Sequence, residues 1–220
     1  MTYTGTVAPG GPSDVRELPR LVIRKMAVSA MHNNVYLLTC RATGAQLLVD
    51  AADDAGRCLA LVAEGTGRLD SLVTTHSHRD HVRALAAVVS ATGARTFAGA
   101  DDADVLPVRP DVRLRQGDRI PVGEAVLDVV HLRGHTPGSV ALAYDDPGGH
   151  THLLTGDSLF PGGVGSTTNP GQSFDALIED VSSRVFDVYD DDTWFYPGHG
   201  ADSTLGAERP HLREWRERGW

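Results

Sequence analysis

The chain has 220 residues, 41% of them apolar, and a formal net charge of −9. That length suits one domain with a sizeable core, or at most two very small ones. The charge argues against a nucleic-acid partner, because the 20 basic residues are scattered and form no basic stripe. No stretch approaches the ~18 apolar residues of a membrane span, so no membrane partner is expected.

Residues 1–18 are rich in Gly, Pro and Thr and read as a flexible N-terminal arm, leaving 19–220 as the domain. The arm lacks a basic region followed by an apolar run, so no secretory signal is read and a cytoplasmic location is expected. Strand signals follow at Leu21–Val28, 35–40 and Gln46–Val49, the last closed by Asp50. A helix is expected over Ala55–Glu64, with Ala55, Cys58, Leu59 and Val62 on one face and Gly65 as its stop. Cys58 and Cys40 lack metal-motif spacing and read as buried free thiols. Residues 71–75 form a short buried strand. Val82, Leu85, Ala86 and Val89 then mark a second amphipathic helix that ends near Gly93.

After that the pattern is mostly β, with strands at 125–132, 139–144 and 152–155. Val140, Leu142 and Tyr144 alternate with Ala141 and Ala143, a period of two. Residues 162–171 form the one long flexible loop inside the fold, either a wall of a substrate pocket or an inert connector. Ser173 suits a helix N-cap, and Phe174, Leu177, Ile178, Val181, Val185 and Val188 mark the helix behind it. A last strand at 193–196 and a charged helix over 211–218 complete the chain. Trp215 and Trp220 read as packing groups. Helices interspersed with mixed strands indicate a layered α/β domain.

The strongest chemical signal is Thr75-His76-Ser77-His78-Arg79-Asp80-His81. It places three imidazoles and a carboxylate directly after a buried strand. In extended backbone, His76 and His78 can point the same way and share a metal, while Asp80 and His81 lie past the turn and can face a second. Neutral imidazole and carboxylate suit zinc, and iron or manganese also accept them. Three further candidates fall where a strand meets a loop: His135 in Gly134-His135-Thr136-Pro137-Gly138-Ser139, Asp157 in Thr155-Gly156-Asp157, and His199 in Pro197-Gly198-His199-Gly200. Lone histidines such as His150, His152 and His211 read as ordinary surface residues.

In this order and at these intervals, the motifs resemble the metallo-β-lactamase superfamily, and most of all its glyoxalase II-like hydrolases. The likeness runs from about Leu21 to His199. It implies a single-domain, four-layer αββα sandwich with the metals at one edge of the two sheets. It implies that His76, His78 and His135 hold one divalent ion, that Asp80, His81 and His199 hold a second, and that Asp157 bridges them. The most expected ion is zinc. Asp50 matches an acidic residue that supports the site from behind a ligand, although a plain cap at the strand end would also account for it.

Two metals ~3.5–4 Å apart can share a hydroxide that attacks a carbonyl carbon, with Asp80 orienting it or moving its proton. The resemblance therefore implies hydrolysis of a thioester, ester or lactone of a small molecule. Departures from the family's pattern fall outside the ligands: Arg133 and Ala51 stand where proline is usual, and 158–165 lacks a Gly-Cys-Gly-Arg-like segment. Two other classes share these motifs. One is an oxidoreductase resembling the persulfide dioxygenases, with one iron on two His and one Asp; the other is a non-catalytic metal-binding module.

Overall fold

The computed structural model describes residues 2–219. Its first sheet has seven strands in chain order: β1 (Asp14–Glu17), β2 (Leu21–Val28), β3 (Asn33–Cys40), β4 (Gln46–Val49), β5 (Ser71–Thr74), β6 (Arg95–Gly99) and β7 (Val112–Leu114). The strands from β1 to β4 pair antiparallel. From β4 to β7 they run parallel, which requires crossovers. Helix α1 (Ala55–Glu64) fills the first crossover, and α2 (Arg79–Val82) and α3 (Leu85–Thr92) fill the second.

The second sheet contains β8 (Arg119–Val122), β9 (Ala125–His131), β10 (Val140–Asp145), β11 (Thr151–Gly156), β14 (Trp194–Pro197) and β15 (Ser203–Thr204). Between β11 and β14 lie a small hairpin of β12 (Leu159–Phe160) and β13 (Gly163–Val164) and the helix α4 (Phe174–Val181). The helices α5 (Leu205–Glu208) and α6 (Leu212–Arg218) end the described chain.

Period-two alternation sorts the side chains into layers. Tyr36 and Leu38 of β3 and Leu47 and Val49 of β4 meet Leu127, Val129, Leu142 and Leu154 between the sheets. Val35, Leu37 and Leu48 point the other way, against Cys58 and Leu61 of α1 and Leu85 and Val88 of α3. On the far side, Leu177, Ile178 and Val181 of α4, with Trp215 of α6, pack on Ala141, Ala143, Leu153 and Phe195. The small Ala141 and Ala143 let α4 lie close, which explains the large–small alternation of β10. Each fully buried Leu or Ile contributes roughly 1.5–3 kcal/mol. The result is the expected four-layer αββα sandwich. Cys40 and Cys58 are free and buried, as expected.

Several expectations need correction. Part of the 1–18 arm is ordered strand: β1 pairs with β2, Asp14 opposite Lys25, and covers a ladder that would otherwise be an open edge. Tyr3 also donates to Asp202 at 2.5 Å. The second helix is two pieces, because the Arg83 and Ala84 N–H groups bond to Ala52 and Ala51 carbonyls between α2 and α3. The helix expected to Val188 is α-helical only to Val181 and continues as a π-helical turn, Ser182–Phe186. Residues 163–164 of the long loop pair with β12. His152 is no surface residue: it is 1% exposed and faces the inter-sheet core with Leu154, two positions on. Its Nδ1 lies 2.8 Å from the Tyr196 hydroxyl. His150 is half-buried and His211 exposed. Trp215 packs edge-on against Phe186, and Trp220 lies outside the described residues.

Candidate metal centre

The motif residues converge where strands of both sheets end. His76, His78, Asp80 and His81 follow β5; His135 lies in the turn between β9 and β10; Asp157 follows β11; His199 follows β14. One group of donor atoms, from His76, His78 and His135, lies within 4.8 Å of one another, and so does a second, from Asp80, His81 and His199. Asp157 lies between them. Its Oδ2 is 3.7 Å from His135 Nε2, 4.0 Å from His76 Nε2 and 3.4 Å from His199 Nε2, and its Oδ1 is 3.4 Å from His81 Nε2.

Hydrogen bonds behind the rings decide which nitrogen faces inward. The Thr75 hydroxyl donates to Asp50 Oδ2 at 2.8 Å, so it can only accept from His76 Nδ1 at 3.0 Å. His81 Nδ1 faces Asp50 Oδ2 at 2.9 Å, His135 Nδ1 faces the Ser166 carbonyl at 2.8 Å, and His199 Nδ1 faces the Met31 carbonyl at 2.9 Å. Each Nδ1 is therefore a donor, and each Nε2 can turn a lone pair inward. His76 Nε2, His135 Nε2 and Asp157 Oδ1 are buried without hydrogen-bond partners. His81 Nε2 and His199 Nε2 lie 3.2 Å apart. Lone pairs that close, beside three carboxylates, call for positive charge between them. The donor set therefore fits divalent metal ions.

Without ions, protons would answer the same demand. Burial opposes charge on His81, but Asp157 and Asp50 outweigh it and raise its pKa to about 10. Burial likewise opposes charge on His199, and Asp157 and Asp80 raise it to about 10. His76 is pushed well below its ordinary value by burial and then by the charge of His81. His135 is also pushed down, by burial first. Burial would raise Asp157, but His81 and His199 hold it well below the usual carboxylate range. The hydrogen bond with His199 lowers Asp80, helped by Asn33.

Residues that the sequence reading did not single out complete the scaffold. Asn33 donates from Nδ2 to Asp80 Oδ2 at 2.8 Å, and Ser29 donates to Asn33 Oδ1 at 2.6 Å. Asp102 accepts from both loops that carry His76, His78 and His135. Gln172 donates to the His135 carbonyl at 2.7 Å. The Pro197–Gly200 turn is gripped from β2 and β3: Tyr36 and Asn34 donate to the Pro197 carbonyl, and Asn34 and the buried Lys25 donate to the Gly200 carbonyl. A polar pair opening the apolar strand β3 was the available signal for Asn33. Asp102 sits between Asp101 and Asp104, and nothing in sequence separates it from these neighbours. Beside the cluster is a cavity of about 580 Å³ lined by Ser77, Arg79, Val82, Arg83, Val105 and Pro107.

Residues 29–199 match the family model of the metallo-β-lactamase superfamily, which covers the whole of this site. The chain belongs to that superfamily. A hydroxyacylglutathione hydrolase of Fuscovulum blasticum is 37% identical over 146 residues, 66% of this chain and 55% of that protein. The chain spans about half the length of the curated hydrolases it matches first. Among solved structures, ETHE1 from Myxococcus xanthus superposes with a TM-score of 0.78 at 27% identity, covering 89% of this chain and 84% of that one. TTHA1623 in a di-iron-bound form superposes with a TM-score of 0.70 at 31% identity, covering 84% and 96%. Among the described residues, no helix is long and apolar enough to cross a membrane.

Proposed function

We propose that this chain is a metal-dependent hydrolase that cleaves a thioester, ester or lactone of a small metabolite. The observation that carries the reading is the position of Asp157, whose carboxylate lies within 4.0 Å of imidazole nitrogens from both halves of the cluster. In this reading His76, His78 and His135 hold one ion, Asp80, His81 and His199 hold the other, and Asp157 serves both. Zinc is the first choice; the di-iron form of TTHA1623 supports iron as another. When bound, such ions make water acidic enough to ionise near neutral pH and polarise a carbonyl oxygen.

The protein's own groups would do the rest. Asp80, whose Oδ2 accepts from the Asn33 amide, would orient the attacking water or move its proton. Asp50 holds His81 directly and His76 through Thr75. The names of the curated relatives favour a thioester of a thiol such as glutathione.

A second reading is the persulfide dioxygenase-like oxidoreductase, in which two His and one Asp of the cluster would hold one iron. The overlay on ETHE1 supports it. Metal content per chain, measured on protein purified without added metal or chelator, separates the two. The hydrolase requires about two equivalents and turnover of thioesters or lactones, with Asp80→Asn lowering kcat by roughly 10²–10⁴-fold. One equivalent of iron with oxygen uptake on glutathione persulfide would sink the hydrolytic reading.

A further inference from the structure

Asp102 plays no part in the proposed chemistry, yet it touches both loops that carry the imidazoles of the first half. It follows β6 and is 2% exposed, while Asp101 and Asp104 beside it are exposed. Its Oδ2 accepts from the Ser77 N–H at 2.8 Å and from the Thr136 hydroxyl at 2.6 Å. Its Oδ1 accepts from the Gly138 N–H at 2.7 Å. Ser77 lies between His76 and His78, and Thr136 directly follows His135. Ser139 Oγ lies 2.6 Å from the Thr136 hydroxyl and accepts the Thr136 N–H at 3.1 Å, which leaves the Thr136 hydroxyl proton for Asp102. A Cβ at Gly138 would fall 2.4 Å from the Asp102 backbone nitrogen and 2.8 Å from its Cγ, so only glycine lets the carboxylate come this near.

We propose that Asp102 is a positioning residue. It locks the His76–His78 loop to the His135 loop and so sets the spacing of three imidazoles whose rings lie 4.5–4.9 Å apart. Among the described residues no cationic side chain pairs with Asp102, so its charge is spent on three donors of the two loops, and such charge-assisted bonds are short and strong. The second half is held by other groups: Asp50 on His81, and the Met31 carbonyl on His199. Loss of Asp102 therefore acts on the first half selectively. The metal consequence rests on the metal-centre reading above; the lock between the loops does not.

The test is Asp102→Asn, which keeps the shape but sets an NH₂ group against N–H and O–H donors. In metal-free protein, amide exchange at Ser77 and Gly138 should accelerate at least tenfold, while the Thr75 N–H, held by Asp50, keeps its protection. In a zinc titration followed by histidine ring NMR, which separates the halves, His76, His78 and His135 should lose affinity by roughly 10–100-fold. His81 and His199 should titrate as in the wild type. Thr136→Val removes one bond of the three and should give a smaller change of the same sign; it carries the test if Asp102→Asn does not fold. Unchanged exchange at Ser77 and Gly138, or equal weakening of both halves, overturns the proposal. A wild-type protein that binds no divalent ion sinks the metal-centre reading instead, and the exchange pattern still judges the lock.

Discussion

Four of the imidazoles in the cluster have Nδ1 tied to an oxygen: Thr75 Oγ, Asp50 Oδ2, the Ser166 carbonyl and the Met31 carbonyl. A ring tied this way has its tautomer and its direction set before any ion arrives, which lowers the cost of ordering it on binding. Asp50 does this for two rings, and its φ of 60° aims its carboxylate back at β5. A single residue elsewhere makes the molecule sensitive to acid. Burial, then Arg16 and His150, push His152 down to about 3. An unfolded histidine takes a proton below about 6.5, but this one stays neutral in the fold until about pH 3. The unfolded state therefore binds more protons across that window, and stability falls as pH drops from about 6.5 towards 3. Between pH 7 and 5 the loss from this group should be about 2 kcal/mol. Urea unfolding of the wild type and His152→Gln at pH 5 to 8 checks it: the variant should show a shallower acid limb. Parallel curves would mean that His152 does not stay neutral.

At the scale of elements, every ligand candidate hangs from a strand end. The strands are rigid because both faces are buried, so the short loops inherit their precision. The loop that carries His135 is seated against the start of α4. The Ser173 N–H bonds to the Gly134 carbonyl at 3.0 Å, and Leu177 lies beneath the turn. Gly134 has a φ of +123°, and a Cβ there would meet the Ser173 carbonyl at 2.4 Å and the Leu177 nitrogen at 2.6 Å. Gly134→Ala should cost at least about 1 kcal/mol, because the backbone is strained and α4 must shift. The same shift should lower metal content, since the turn holds His135. Equilibrium unfolding and metal analysis of that variant test both; a stable variant with full metal would show that the turn adapts freely.

For the whole molecule, the cluster brings the two sheets together at one edge, with candidate ligands following β5 on one side and β9, β11 and β14 on the other. Ions that bind only the folded state stabilise it by mass action, by about 2.7–4.1 kcal/mol at 100 to 1,000 times their dissociation constant. For a chain of this size each kcal/mol moves Tm by about 2–4 °C. Chelation should therefore lower Tm by roughly 5–15 °C, and added zinc should restore it. A Tm that ignores chelator would separate the centre from the fold's stability.

Sequence alone picked out the His and Asp residues that converge, and their order, because strand-end loops of a few residues allow His76, His78, Asp80 and His81 little freedom to scatter. It also determined the helices α1 and α4 and most long strands, whose periods are local properties. Tertiary structure decided what depends on distant partners. The chain's scattered acids look alike on paper, and only packing put Asp102 between two loops 25 and 34 residues away. The edge strand β1 exists because β2 offers it a ladder. His152 is buried because β11 turns that face to the other sheet, and one exposed-looking polar residue between His150 and Leu153 could not announce it. Asn33 reaches Asp80 across 47 residues. Hydrogen bonds of that span depend on how the sheets stack, which no local pattern encodes.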